Sequence, residues 1–453
     1  MLVCGVDIGT TNLKVSVVDE KGVSRWARAV PTPRVAPSPR SDINATVLVS
    51  AIEALIVEGW TAVGKGKPLS AIATTGVGED GILVDRALKP LCFAIPWHDR
   101  CAIREAAEIR ESAAATTRAG IEMEHTRTGA KWLWRRRYSP ALFADKSMWI
   151  ALTDYPSVIW TARPFISETL ASRTGCYDVG RRAWIDALLD VCGAPELPEI
   201  LRAGEIVGTM RAGPLTFSGA VSGSTLVVAG GHDHPVAAAM IQRFDPKARV
   251  DSIGTANVVY GETSTFALNR FDRYLAFMVP VQARDGAACL GVFEFSAAVQ
   301  GLKDRGIDIR AFLALPKLPG EPKFFAAPED LPARADARSV LEMAGVTARR
   351  MFHHMRRAGV ESTPVYATGG WSRSRSLLQL RASIFGVPLN VLSEQEPAVI
   401  GAALLAAEGL GEVVDFTTGV TTQTIEPDPH WTEFYQEKYR ASFGAGDGQA
   451  DQG

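Results

Sequence analysis
The stretch from Leu2 to Asp19, LVCGVDIGTTNLKVSVVD, constrains this chain more than any other. An apolar run from Leu2 to Ile8 carries one acidic residue, Asp7, near its end and breaks at Gly9. Thr10, Thr11 and Asn12 follow, and a second run from Leu13 to Val18 closes on Asp19. That pattern predicts a strand, a tight polar turn and a returning strand. The turn is chemically loaded. Gly9 lets backbone approach a ligand, and the hydroxyls and N–H groups of Thr10 and Thr11 suit phosphate oxygens. Asp7 beside them suits Mg²⁺, which prefers a carboxylate with retained waters and phosphates. A plain hairpin with a Gly-Thr turn reads the same residues without a ligand, because short glycine motifs recur by chance.

With 453 residues the chain has room for two or three domains with substantial cores. Its 48 basic and 50 acidic side chains leave a net charge of −2, which makes no electrostatic case for nucleic acid or an anionic membrane. Six cysteines are scattered without a C-x-x-C pair, so neither a zinc site nor a disulfide framework is expected. The chain enters a strand at once, so no signal peptide is expected, and no run reaches the ~18 uncharged apolar residues of a membrane span. The expectation is a soluble, cytoplasmic protein.

Along the chain, Val23 to Val30 reads as a third strand, and Asp42 as the cap of a long amphipathic helix over 43–63. LSAIATTGVG (69–78) reads as a buried strand running into a glycine-rich loop, with a short strand at 81–85. Residues 101–129 look helical and charged, and 148–163 look like a helix with two tryptophans. The basic-aromatic WLWRRRY within 131–138 reads as a solvated helix face with Trp132 and Trp134 packed inward, rather than as a nucleic-acid site. The opening pattern then recurs: strand, Gly-Gly turn and helix at 226–241, and strand, Gly-Thr turn and strand at 248–262. Helices at 339–357 and 374–385, strands at 364–370 and 387–393, and a helix from Pro397 complete a second half; residues from 445 on are expected to be disordered.

Four segments stand in order: DIGTTN at 7–12, GGHD at 230–233, SIGTAN at 252–257 and TGGWSRS at 368–374. Each is weak alone. The ordered set, spread over residues 1–440, resembles the FGGY family of carbohydrate kinases within the actin–hexokinase superfamily. The resemblance implies an α/β fold of two ribonuclease-H-like domains with an interdomain active-site cleft. It also implies ATP and Mg²⁺ as cofactors and a small sugar or polyol as phosphoryl acceptor. By that resemblance Gly9, Thr10, Thr11 and Asn12 hold the β- and γ-phosphates, Asp7 sits near Mg²⁺, and Lys14 stands where the family often has a basic residue. Gly254 and Thr255 match a second phosphate segment; Gly369, Gly370 and Ser374 match the adenosine segment. Asp233 matches the catalytic base, and the same residue would cap the helix that follows it.

The loop GVGEDGILVD resembles that of fuculose and rhamnulose kinases, which would set Glu79 and Asp80 against sugar hydroxyls; a charged turn in water is the alternative. Trp97 and Asp99 match a W-x-D segment near the sugar, and His232 flanks the base. Three departures stand beside these matches: Trp371 in place of Gly or Ala, Arg100 directly after Asp99, and a short 300–338 segment. The expected division is 1–244 for sugar, base and first phosphate loop and 245–453 for nucleotide, with a terminal helix at 431–443 packing on the first domain. A fuculose-like deoxy-ketose is favoured as substrate, with xylulose, ribulose and erythritol open. No nucleic-acid or membrane partner is expected, and a homodimer is left open. A catalytically inactive nucleotide- and sugar-binding regulator is the alternative; an actin- or chaperone-like ATPase acting on proteins is disfavoured by the sugar-side segments.

Overall fold
A computed structural model gives the structure of this chain and describes residues 1–36, 42–143, 146–254, 256–294, 296–393, 396–412, 414 and 420–444. The chain forms two units: residues 1–240 with 277–285 and 396–419, and residues 241–276 with 286–395 and 420–453. In the first, β1 (Leu2–Ile8), β2 (Asn12–Asp19) and β3 (Ser24–Pro31) precede α1 (Ala45–Val63), β4 (Ala71–Gly76) and β5 (Gly81–Val84). Next come α2 (Thr128–Tyr138), β6 (Met148–Ala151), α3 (Tyr155–Thr161), β7 (Ile206–Thr209), β8 (Leu226–His232) and α4 (Asp233–Gln242), which ends in the second unit. The sheet order is β7-β8-β4-β1-β2-β3. Strand β1 pairs antiparallel with β2 and parallel with β4, and β4 pairs parallel with β8.

The middle strands β1, β4 and β8 are buried almost throughout because both faces are covered. Leu48, Ile52 and Ile56 of α1 join Val6, Ile8, Val15 and Ile72 in one core. Asn44 caps α1, accepting from the N–H groups of Thr46 and Val47, so the expected cap at Asp42 lies two residues too early. By length and composition α1 is apolar enough to cross a membrane despite Glu53 and Glu58, yet it packs here on β2 and β3. The opposite face carries α7 (Pro397–Gly409), which lies on β1, β4 and β8 although it is far along the chain. The approach is close: a Cβ on Gly5 would stand 2.0 Å from the Val399 carbonyl oxygen. Gly5→Ala is therefore expected to push α7 off the sheet and cost roughly 1–3 kcal/mol or more, read as a lower midpoint in urea.

The second unit contains β9 (Arg249–Ile253), β10 (Ala256–Thr263), β11 (Ala287–Glu294), α5 (Ala337–Arg357), β12 (Val365–Thr368), α6 (Arg375–Phe385), β13 (Leu389–Leu392), β14 (Thr422–Ile425) and α8 (Pro429–Phe443). Neighbouring strands run β11-β10-β9-β12-β13-β14. The pairing senses are antiparallel, antiparallel, parallel, parallel, antiparallel, as for β3-β2-β1-β4-β8-β7. The recurrence of the Gly-Thr hairpin thus reflects one sheet topology used twice.

Two further expectations differ from the structure. The stretch 148–163 opens with β6, which pairs with β5 from Gly81↔Ala151 to Val84↔Met148, and only Tyr155–Thr161 is helical. The bulky Met148-Trp149-Ile150 run fits a pleated surface as well as a helix, and Pro156 marks the first helical turn. Residues 101–129 are α-helical only over Ile103–Glu111. Within the second unit the terminal helix α8 packs on α6, with Tyr435 Oη donating to Glu342 and Arg349 donating to Gln436. The expectation for residues from 445 on lies outside the described residues.

Asp154, at the start of α3, is fully buried and accepts from the Ser167 N–H and hydroxyl at 2.7 and 2.6 Å. Burial, against those bonds, pushes its carboxyl up to about 7 from an ordinary 3.8. The fold then holds a proton that the unfolded chain releases, so this group's contribution falls as pH rises from about 4 to about 7 and levels off above. Thermal midpoints of the wild type measured against Asp154→Asn are expected to decline from pH 5 to 7.

Candidate active site
Strand register assembles the site in the first unit. Asp7 on β1 faces Lys14 on β2 and Thr75 on β4, and Gly231 on β8 faces Thr75 on its other side. One step on, Ile8, Gly76 and His232 are aligned. The carboxyl ends of three parallel strands therefore deliver Gly9–Asn12, Gly78–Asp80 and Asp233 to one edge, the usual place for a site in such a sheet. A register shift between Val228 and Gly231 bends β8 just before His232. Gly231 sits at φ +135°, and a Cβ there would meet the Thr169 hydroxyl at 2.1 Å. That hydroxyl accepts the His232 N–H at 3.0 Å and so anchors the strand end.

At the turn, the Gly9 N–H donates to the Asn12 carbonyl at 3.1 Å, while Thr11 and Asn12 are exposed. Thr10 is gripped from two sides: its hydroxyl accepts the Trp97 indole N–H at 3.0 Å, and its carbonyl accepts from Arg34. Asp7 is buried, with Oδ2 3.5 Å from Lys14 Nζ and, among the described residues, no hydrogen bond to Oδ1. Burial pushes Asp7 up to about 7 against Lys14, with Asp233 and Glu396 adding to the shift. For Lys14, burial opposes the charge, but Asp7 and Glu396, the latter at 2.6 Å, outweigh it and raise its pKa. No group of three or more His, Cys, Asp or Glu ligands occurs among the described residues. One orphaned carboxylate oxygen beside a phosphate-type turn still fits Mg²⁺, which takes few protein ligands and uses phosphates and waters for the rest.

Asp233 opens α4 with its side chain 23% exposed; its Oδ1 accepts the His234 N–H at 2.7 Å and lies 3.4 Å from His232 Nε2. Burial, then Arg173, holds His232 well below the ordinary histidine range, so its ring is neutral at pH 7; among the described residues its buried Nδ1 has no partner. Glu79 is no free turn carboxylate. Its Oε1 accepts from Arg127 Nη1 at 2.9 Å and from Arg173 Nε and Nη2 at 3.0 and 2.5 Å. Burial opposes its charge, but Arg173 and Arg127 outweigh it and hold the carboxyl below its usual range. Asp80 is also buried and is pushed up to about 7 by that burial, against Lys131 and with Glu79 adding. Lys131 donates to the Pro96 carbonyl at 2.7 Å. Asp99 accepts the Cys101 N–H at 2.8 Å, a local turn that orients the segment after Trp97. Arg34, Arg127, Lys131 and Arg173 escaped the sequence reading.

In the second unit the parallel register of β9 and β12 sets Ser252 opposite Thr368, so the turns at Gly254 and Gly369 leave adjacent strand ends. Gly369 needs its left-handed φ of +89°, and a Cβ there would meet the Ile253 carbonyl oxygen at 2.5 Å. The Trp371 N–H donates to that oxygen at 3.2 Å, while a Cβ on Gly370 would meet open space. Ser374 is taken up by structure: its hydroxyl donates to the Leu313 carbonyl at 2.6 Å and accepts the Leu377 N–H, capping α6. Thr255 lies outside the described residues. The WLWRRRY arginines are likewise engaged, Arg135 with Phe93, Arg136 with Gly193, and Arg137 with Glu105 and Glu108.

The chain resembles known proteins over nearly its whole length. The chain is 24% identical to a xylulose kinase of Staphylococcus epidermidis, over 97% of this chain and 95% of that one. A xylulose kinase of Escherichia coli is 24% identical over 89% of each chain. The solved structure of a xylulose kinase from Rhodospirillum rubrum superposes with a TM-score of 0.82 at 22% identity over 97% of each chain, which shows the same fold. The N-terminal domain of the FGGY family of carbohydrate kinases matches residues 2–240 and its C-terminal domain residues 322–410. With both domains present in order on an actin/hexokinase-like fold, the chain belongs to the FGGY family of carbohydrate kinases.

Proposed function
We propose that this sugar phosphotransferase moves the γ-phosphoryl group of ATP, the nucleotide that sugar kinases of the family use, to a hydroxyl of a four- to six-carbon ketose or polyol, with Asp233 as general base. The carrying observation is the register that brings Asp7, the 9–12 turn, Glu79 and Asp233 to one sheet edge. In the transfer the acceptor oxygen forms a bond to the γ-phosphorus while the bridge to the β-phosphate breaks. The hydroxyl proton passes to the Asp233 carboxylate, whose partial exposure leaves it accessible to the acceptor. Lys14 and the N–H groups of the 9–12 turn offset phosphate charge. Asp7 would hold Mg²⁺, which supplies further neutralisation of the phosphates. Gly369 and Gly370 line the adenosine segment in the second unit.

Glu79 is positioned by its two arginines rather than free in solvent, and a fixed carboxylate acceptor suits recognition of a sugar hydroxyl. The 76–85 loop favours a fuculose-like deoxy-ketose, and the names of the relatives favour xylulose. A coupled ADP-release assay over C4–C6 ketoses and polyols separates them: one acceptor is expected to exceed the others in kcat/KM by at least tenfold. Equal, acceptor-independent ADP release across the panel would overturn the reading.

A further inference from the structure
The turn at residues 9–12 is braced so that its acceptors are used up. The Gly9 carbonyl accepts the Thr32 hydroxyl at 2.7 Å, the Thr10 carbonyl accepts from Arg34, and the Thr11 carbonyl accepts the Thr32 N–H at 3.0 Å. The Asn12 carbonyl takes the Gly9 N–H at 3.1 Å. Every carbonyl oxygen of the turn is thus bonded within the protein. That suits a phosphate, which needs donors around it and is repelled by a free carbonyl oxygen.

The Thr10 hydroxyl is held separately, by the Trp97 indole N–H at 3.0 Å. An indole N–H can only donate, so the hydroxyl accepts in this bond and keeps its own hydrogen for another partner. Trp97 is in turn fixed from behind. Its backbone N–H donates to Asp80, and the carbonyl of the same peptide group, that of Pro96, accepts from Lys131 Nζ at 2.7 Å. Asp80 and Lys131 are both buried and of opposite charge, so this peptide is gripped on its two sides. Arg34 closes the circuit, since its charge is felt by Asp80 while it bonds Thr10.

By pattern Trp97 belongs beside the sugar, yet its indole N–H is committed to the phosphate-type turn. We propose that Trp97 is a positioning residue for the phosphates of the nucleotide, its indole N–H setting the Thr10 hydroxyl as a donor to them. The proposal rests on the kinase reading and gives Trp97 a role within it that is separate from contact with the acceptor. Without the indole N–H the hydroxyl rotates freely, and ordering it on binding lowers affinity.

Calorimetry on the full chain with Mg·AMP-PNP, an ATP analogue that is not turned over, reads nucleotide binding alone. Trp97→Phe keeps an aromatic ring and removes the N–H. It is expected to weaken analogue binding roughly 3- to 10-fold, the effect of one hydrogen bond. KM for ATP should rise in step, while KM for the most active acceptor of the panel changes less than about twofold. Thr10→Val is expected to weaken analogue binding at least as much, and Trp97→Phe in that background to add less than about twofold, because both changes remove the same donor. Losses that multiply in the double variant would mean that the ring acts by packing and would overturn the proposal. Unchanged analogue binding in Trp97→Phe, with a raised acceptor KM, would overturn it as well and leave the kinase reading intact. A wild-type chain that binds no Mg·AMP-PNP would overturn the kinase reading and the proposal with it.

Discussion
Asp233→Asn is expected to lower kcat by about 10²–10⁴-fold, the range for removing a general base, and to shift the KM values for sugar and ATP only a few-fold. The asparagine keeps a side-chain carbonyl for the His234 N–H, so the first turn of α4 retains its local bond and the unfolding midpoint is expected to stay within about 1 °C. This separates the two roles that Asp233 can play. A residue acting only as a cap would tolerate asparagine, since Asn and Asp cap equally well, and would respond mainly to alanine. Asp233→Ala is accordingly expected to lose both the activity and about 1 kcal/mol of stability. Near-normal kcat in Asp233→Asn would assign the proton transfer elsewhere.

Glu79→Ala is expected to produce the largest loss of stability among single substitutions in the first unit. Its Oε1 takes three N–H groups from two arginines, and Glu79 and Arg173 are each about 5% exposed. Removing the carboxylate leaves buried Arg173 without its counter-ion and Arg127 with only the half-exposed Glu124, a loss of roughly 3–5 kcal/mol. The midpoint should fall on the order of 10 °C. Glu79→Ala combined with Arg127→Met removes one of the stranded charges and is expected to recover part of the loss, a non-additivity that a cycle of the four proteins measures. Additive losses would mean that the cluster is not coupled as its geometry requires.

The parts of the site legible in sequence are those made by local pattern. The β1–β2 hairpin shows in the apolar runs around Gly9, and the β8–α4 junction in the Gly-Gly break before Asp233. Their meeting was legible only as order along the chain, because pairing of β1 with β4 and of β4 with β8 is a property of the sheet. The arginines on Glu79 left no local trace: they lie 48 and 94 residues from it, one at the start of a helix otherwise read for its tryptophans. Glu396 reaches Lys14 across 382 residues for the same reason. At Ser374 a serine after a glycine pair fits both a ligand loop and a helix cap, and the structure shows the hydroxyl capping α6. β6 was misread because an apolar run of four residues carries no period that tells strand from helix.

Phosphoryl transfer itself is tested most directly by ³¹P NMR of the full chain with Mg·ATP and the best acceptor of the panel. One phosphoester of the acceptor per ADP is expected, with ADP formation falling to background when the acceptor is omitted and in Asp233→Asn. ADP and inorganic phosphate appearing at the same rate without acceptor, and no phosphoester, would contradict a sugar kinase built on Asp7, the 9–12 turn and Asp233.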